Sequence, residues 1–183
     1  RIHGGAKSVG RVIGNDDLIQ MRSVRNVEEK KLIAKKALSL IGQHECIFLD
    51  SGSTTTELAR VFPDRPNILY TCSLSAAAEL SNLKEPRIYL PGGRLNSNSL
   101  SISGSAGERE LSYVNFDLAF IGVTGYEKRT GFNSASERDT NLKRTVISRT
   151  AKVVALLDAS KLGVATAYTI CELHQADVVV TAG

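Results

Sequence analysis

The chain has 183 residues, 42% of them hydrophobic, enough for one α/β domain with a substantial core and short for two. Its 23 Lys and Arg against 19 Asp and Glu give a formal net charge of +4, spread along the chain without a basic block, so charge alone does not point to nucleic acid. Cys46, Cys72 and Cys171 are odd in number and lie far apart in apolar stretches, and His3, His44 and His174 are isolated, which argues against a disulfide framework and against a metal site. With no signal-peptide core and no apolar run long enough to cross a bilayer, the expectation is a cytosolic (cytoplasmic) protein with no membrane partner.

Residues 1–20, opening on "RIHGGAKSVGRVIGNDD", are Gly-rich, basic at the start and weakly periodic, and read as a linker or arm from something upstream; residues 21–183 read as the folded body. In "NVEEKKLIAKKALSLI", Asn26 with Glu29 three residues on makes a capping-box start. Leu32, Ile33, Ala37, Leu40 and Ile41 recur at helical spacing, so the segment predicts an amphipathic helix. "CIFLD" predicts a buried strand and "TTTELARVF" a helix, with Leu58, Ala59 and Phe62 on one face and the Ser-Thr cluster supplying N-cap chemistry. The alternation continues: "NILYTC", "PRIYLPG", "FDLAFIG" and "KVVALLD" as strands, "SLSAAAEL", "GERELSYV" and "SERDTNLKRTVISRT" as helices, then "AYTIC" and "DVVVTA" around a short helical turn. Continuous apolar strands alternating with helices predict an α/β fold with a mainly parallel sheet and helices on both faces.

Ligands of such sheets bind outside the carboxyl ends of the strands. Those ends read "LDSGSTT", "YTCSLS", "LPGGRLNS", "IGVTGYEKRTGFN" and "LLDASKLG". The first admits two readings. An aspartic peptidase needs two Asp-Ser/Thr-Gly loops in an all-β body, and this chain has one, followed directly by a helix. A phosphate suits the loop: Gly52 permits close backbone approach, amides at a helix start point outward, and Ser51, Ser53, Thr54 and Thr55 add hydroxyls. An ordinary Ser/Thr helix cap remains the alternative. The loop is not a Walker motif, because no Gly-Lys-Ser/Thr follows at the required spacing.

Taken together and in order, "RIHGGA", "LDSGSTTTELA", "PGGRLN", "FDLAFIGVTG", "GFNSASERDTNLKRTVI" and "LLDASKLG" resemble the effector-binding domain of the DeoR family of bacterial sugar-metabolism repressors. The resemblance covers nearly the whole chain. It implies that "RIHGGA" ends the wing of a winged helix-turn-helix lying upstream. It also implies a ribose-5-phosphate isomerase/coenzyme A transferase-like fold, which makes a sugar-phosphate isomerase or deaminase the rival reading. Compared with the isomerase, Gly52-Ser53-Thr54 matches its phosphate loop and Asp158-Ala159-Ser160-Lys161 its Asp-Ala-Ser-Lys segment. Gly122 and Gly125 stand where its two catalytic aspartates do, and Lys143 where it has a general-base glutamate. A lysine that is cationic near neutral pH is poorly suited to removing a carbon-bound proton.

The expectation is therefore a sensor without catalytic residues or cofactor, not an enzyme. Asp50, Ser51, Gly52, Ser53, Thr54, Thr55 and Lys161 are the candidates for the effector's phosphate, and Ser73, Gly92, Gly93, Arg94, Gly122, Thr124, Glu137 and Lys143 for its sugar. Plainer roles stay open for several of them: helix charge compensation for Glu137, a solvated surface for Lys143 and Lys161, and simple exposure for Arg94. The partners implied are a phosphorylated sugar, operator DNA through the upstream domain, and further copies of the chain as a dimer or tetramer.

Overall fold

The computed structural model describes residues 18–182, so "RIHGGA", His3 and most of the expected arm lie outside the described residues. In chain order the elements are α1 (Ile19–Ser23), α2 (Val27–Leu38), β1 (Cys46–Leu49), α3 (Ser53–Arg60), β2 (Ile68–Thr71), α4 (Leu74–Leu80), β3 (Arg87–Tyr89), β4 (Arg94–Asn96) and β5 (Ser101–Ser103). They continue as α5 (Ser105–Leu111), β6 (Phe116–Gly122), β7 (Gly125–Glu127), β8 (Gly131–Ser134), α6 (Glu137–Ile147), β9 (Thr150–Leu156), β10 (Tyr168–Cys171) and β11 (Val178–Val180). Among the described residues no helix is long and apolar enough to cross a membrane.

Six strands form one sheet in the order β11-β9-β6-β1-β2-β3, every neighbouring pair parallel. Successive side chains go to opposite faces, and both faces are buried. Ile47, Leu49, Leu118, Phe120, Val154 and Leu156 pack under α2, α3 and α4 with Ile33, Ala37, Leu58, Ala76 and Leu80. Phe48, Ala119, Ile121, Val153 and Ala155 pack on the other face against α5, α6 and a small sheet, through Leu111, Leu142, Val146, Phe132 and Ile170. That two-sided burial is why these strands read as unbroken apolar runs.

The sequence did not resolve two smaller pieces. The Gly-rich stretch after β6 folds into the antiparallel pair β7 and β8, which β10 extends to an antiparallel sheet in the order β10-β8-β7, and β4 pairs with β5 as a hairpin. Helix α1 starts at Ile19, two residues inside the expected arm, and Ile19 N donates to Asn98 O at 2.8 Å. The capping box expected at α2 is not made. Asn26 precedes the helix in the left-handed region, φ 51°, and its Nδ2 donates to Asp158 Oδ1 at 3.3 Å, while Glu29 Oε2 accepts from Ala159 N at 3.2 Å. Both members of the box reach to the turn after β9 instead. Leu32, expected on the buried stripe, faces solvent, and Lys30 is buried in its neighbourhood.

Numbered along the large sheet, the strand order reverses direction between β1 and β6. At such a switch point the loops leaving two adjacent strands diverge to opposite faces and open a crevice. Here those loops begin at Asp50 and at Val123.

Candidate functional site

Between β1 and α3 only Asp50, Ser51 and Gly52 turn the chain. Gly52 adopts φ 152°, a conformation that residues with a Cβ rarely take, and this brings the start of α3 against the crevice. The Ser-Thr cluster does not cap the helix as expected: Thr55 and Thr56 hydroxyls donate to Gly52 O at 2.9 and 2.8 Å, and Gly52 at the cap position has no side chain to accept from the first turn. The amides of a first turn have no partner four residues back and carry the positive end of the helix dipole, so they remain available to an anion. Ser51, Gly52, Ser53, Thr54 and Thr55 all line the crevice.

Beneath the loop lies a buried ionic cluster. Lys143 Nζ sits 3.0 Å from Asp50 Oδ2 and 2.8 Å from Asp139 Oδ2, and donates to Gly122 O at 2.8 Å. Gly122 N in turn donates to Asp50 Oδ2 at 2.8 Å, and Asp139 also accepts from Ser134 Oγ at 3.1 Å and Ser51 Oγ at 3.4 Å. Asp50 and Lys143 are almost wholly removed from water, and only pairing of this quality offsets the desolvation of three charges. Burial alone would lower the Lys143 ammonium; Asp139 and Asp50 outweigh it and raise it above the usual lysine range. Burial raises the Asp50 carboxyl to about 6, with Lys143 opposing and Asp139 adding to the rise.

Two cations on other elements reach the same crevice, Arg22 from α1 and Lys161 from the single helical turn Ala159–Lys161. Asp158 caps that turn by accepting from Ser160 N at 3.1 Å. Lys30 supports α1 from below, its Nζ donating to the carbonyls of Arg22 and Arg25, and burial lowers its ammonium below the ordinary value. The facing wall is hydroxyl-rich: Asn96, Ser99, Ser101 and Ser103 come from the β4–β5 hairpin, and Ser134 and Ser136 from the approach to α6. Ser99 and Ser101 hydroxyls lie 2.7 Å apart. Amides, hydroxyls and two cations surround carboxylates already engaged by other groups, a composition suited to a polyhydroxylated anion.

Of the candidates named from sequence, Ser51, Gly52, Ser53, Thr54, Thr55, Gly122, Thr124, Lys143 and Lys161 line this crevice. Asp50 does not; it lies under the loop as the partner of Lys143. Lys143 is no solvated surface lysine, since its side chain is 4% exposed. Ser73 is buried as the N-cap of α4, its Oγ accepting from Ala76 N at 3.1 Å. Gly92 and Gly93 lie exposed ahead of β4, and Arg94 lines a neighbouring groove with Arg138. Glu137 is exposed in the first turn of α6, where it complements the helix dipole. Sequence reasoning missed Arg22, Asp139 and the serine wall. Asp139 had a signal, its i,i+4 spacing to Lys143 on one helix. Arg22 had none, because it sits beside an aperiodic arm. Among the described residues no group of three His, Cys, Asp or Glu side chains is arranged to hold a metal.

The sequence model of the DeoR C-terminal sensor domain matches residues 25–182. The chain belongs to this family. The HTH-type transcriptional regulator GlpR of Haloferax volcanii is 33% identical over 184 residues, a match that covers 100% of this chain and 71% of that regulator. The HTH-type transcriptional regulator GolR of Listeria innocua is 32% identical over 185 residues, covering 99% of this chain and 71% of the regulator. Among solved structures, ribose 5-phosphate isomerase A from Methanocaldococcus jannaschii superposes with a TM-score of 0.55 at 20% identity, covering 75% of this chain and 55% of the isomerase. The DeoR sensor thus shares a fold with an enzyme, of which it spans about half, and its relatives by sequence are named as regulators.

Proposed function

We propose that this DeoR-family domain senses a phosphorylated sugar in the switch-point crevice, without catalysing a reaction on it, and that occupancy governs DNA binding by a winged helix-turn-helix upstream. The observation that carries this reading is the engagement of the crevice's carboxylates. Asp50 and Asp139 are both paired with Lys143, and Asp158 is spent on capping a turn, so none is free to act as a general base. The uncapped first turn of α3, Arg22 and Lys161 meanwhile favour an anion. The positions aligned with the isomerase's aspartates support the same conclusion. A Cβ at Gly125 would meet Val164 O at 2.3 Å, which leaves no room for a carboxylate there, and one at Gly122 would press on Ser51 O at 3.2 Å beside Asp50 Oδ2 at 3.4 Å.

Thermal stabilisation against phosphorylated fructose, galactose, tagatose and glycerol tests the reading, because a ligand that binds only the folded state raises its stability by mass action. At least one member should raise the melting temperature, and its dephosphorylated form should do so far less. Ribose 5-phosphate and its relatives should show no turnover. Indifference to the whole panel removes the sensor assignment, and clear isomerase or deaminase activity returns the chain to the enzymes.

A further inference from the structure

Arg22 is held in an unusual state. Its Nε is buried and has no hydrogen-bond partner among the described residues, although guanidinium donors removed from water are ordinarily satisfied. The backbone of the same residue is fixed: buried Lys30 donates to its carbonyl and to that of Arg25, and three residues earlier Ile19 N donates to Asn98 O at 2.8 Å. The side chain therefore belongs to a positioned cation at the crevice, facing the loop Ser51–Thr55 and sharing the lining with Lys161. It also belongs to α1, a helix of five residues that leads directly out of the segment preceding residue 18. So short a helix owes its persistence to its contacts with the body and little to its own hydrogen bonds.

We propose that Arg22 clamps the effector's anionic group against the start of α3, and that α1 thereby carries the occupancy of the crevice to the chain that precedes it. This inference rests on the phosphorylated-sugar reading. A phosphate accepts two parallel N–H bonds from a guanidinium, so its arrival satisfies the stranded donor and bridges α1 to α3. Lys161 approaches the same anion from the turn after β9 and contributes attraction without that bridge.

The test titrates inorganic phosphate and glycerol 3-phosphate, at constant ionic strength, into the wild-type chain and into Arg22→Met, Arg22→Lys and Lys161→Met, with amide hydrogen exchange of residues 19–23 followed in parallel. Melting curves verify that each variant is folded. Arg22→Met should weaken binding tenfold or more, and Arg22→Lys, which keeps the charge without the fork, should lose less. Ligand should slow exchange in α1 of the wild type and of Lys161→Met at saturation, and leave it unchanged in Arg22→Met. Wild-type affinity in Arg22→Met alongside a weakened Lys161→Met overturns the clamp and leaves the sugar-phosphate reading standing. Exchange in wild-type α1 that ignores the ligand overturns the transmission role. Failure of the wild type to bind either probe removes both this inference and the reading beneath it.

Discussion

At the scale of single residues, Lys143 has the largest consequences. Buried between Asp50 and Asp139, its ammonium locks two carboxylates. Removing one member of such a buried cluster strands the others, at a cost of about 3–5 kcal/mol; Lys143→Met should lose stability on that scale in denaturant titrations. Asp50 gives the cluster a pH signature. Its folded-state value of about 6 lies above the ordinary 3.8, so the stability tied to its proton is fully present below about 3.8 and is lost as pH rises through about 6. Between about pH 7 and about pH 5 the wild type should therefore gain stability relative to Asp50→Asn, measured as the difference between their unfolding free energies. Equal pH slopes for the two proteins would contradict the elevated carboxyl. On the opposite side of the loop, charge-assisted hydrogen bonds contribute about 1.5–3 kcal/mol each, so Ser53→Ala, Thr54→Ala and Lys161→Met should each weaken effector binding by roughly tenfold or more in calorimetry. If these residues are only cap and surface, affinity will be unchanged and stability slightly reduced.

Elements explain why some residues singled out by pattern do not reach the crevice. Ser73 follows a strand end as the loop Ser51–Thr55 does, yet its hydroxyl accepts from Ala76 N and is consumed in starting α4. Ser73→Ala should cost about 1 kcal/mol of stability and leave effector affinity as it is, the behaviour of a lost cap. The start of α3 is the converse case: its hydroxyls fold back onto Gly52 O and leave the helix amides open. The two helices differ because Ser73 is extended at φ −100° and can aim Oγ at the helix, whereas α3 has a glycine at the cap position with no side chain to offer. The hairpin of β7 and β8 is fastened at Gly125, where a Cβ would lie 2.3 Å from Val164 O. Gly125→Ala should therefore destabilise the fold by about 1–3 kcal/mol through overpacking, visible as a lowered melting temperature.

For the molecule as a whole, the parallel sheet places its reversal of strand order between β1 and β6, and most residues of the crevice come from loops or element ends gathered at that point. The family model that this chain matches is that of a sensor domain. These 183 residues should accordingly bind DNA weakly at most in gel-shift titrations, and tight, sequence-selective binding would contradict a division of labour with an upstream domain. Because operators read by such proteins are contacted by paired domains, sedimentation should find the chain as a dimer or tetramer; a strict monomer at micromolar concentration would count against the pairing.

The sequence by itself determined the α/β class, the parallel sheet and the loop Ser51–Thr55, because two-sided burial writes itself as unbroken apolar runs and a strand-to-helix turn needs Gly and small hydroxyl residues locally. What it could not supply is which polar side chains meet. Asn26 and Glu29 have the spacing of a helix cap, yet a turn more than a hundred residues away takes both of their hydrogen-bonding groups. Asp50 reads as a loop acid beside a phosphate site, and only the crossing of β1, β6 and α6 turns it inward onto Lys143. Arg22 lies in a segment without periodicity and reaches the crevice solely because α1 folds back across the switch point, held there by Lys30 and Asn98. Local patterns record burial and turn geometry; the pairing of charges distant in sequence is decided when the packed sheet brings its loops to one end.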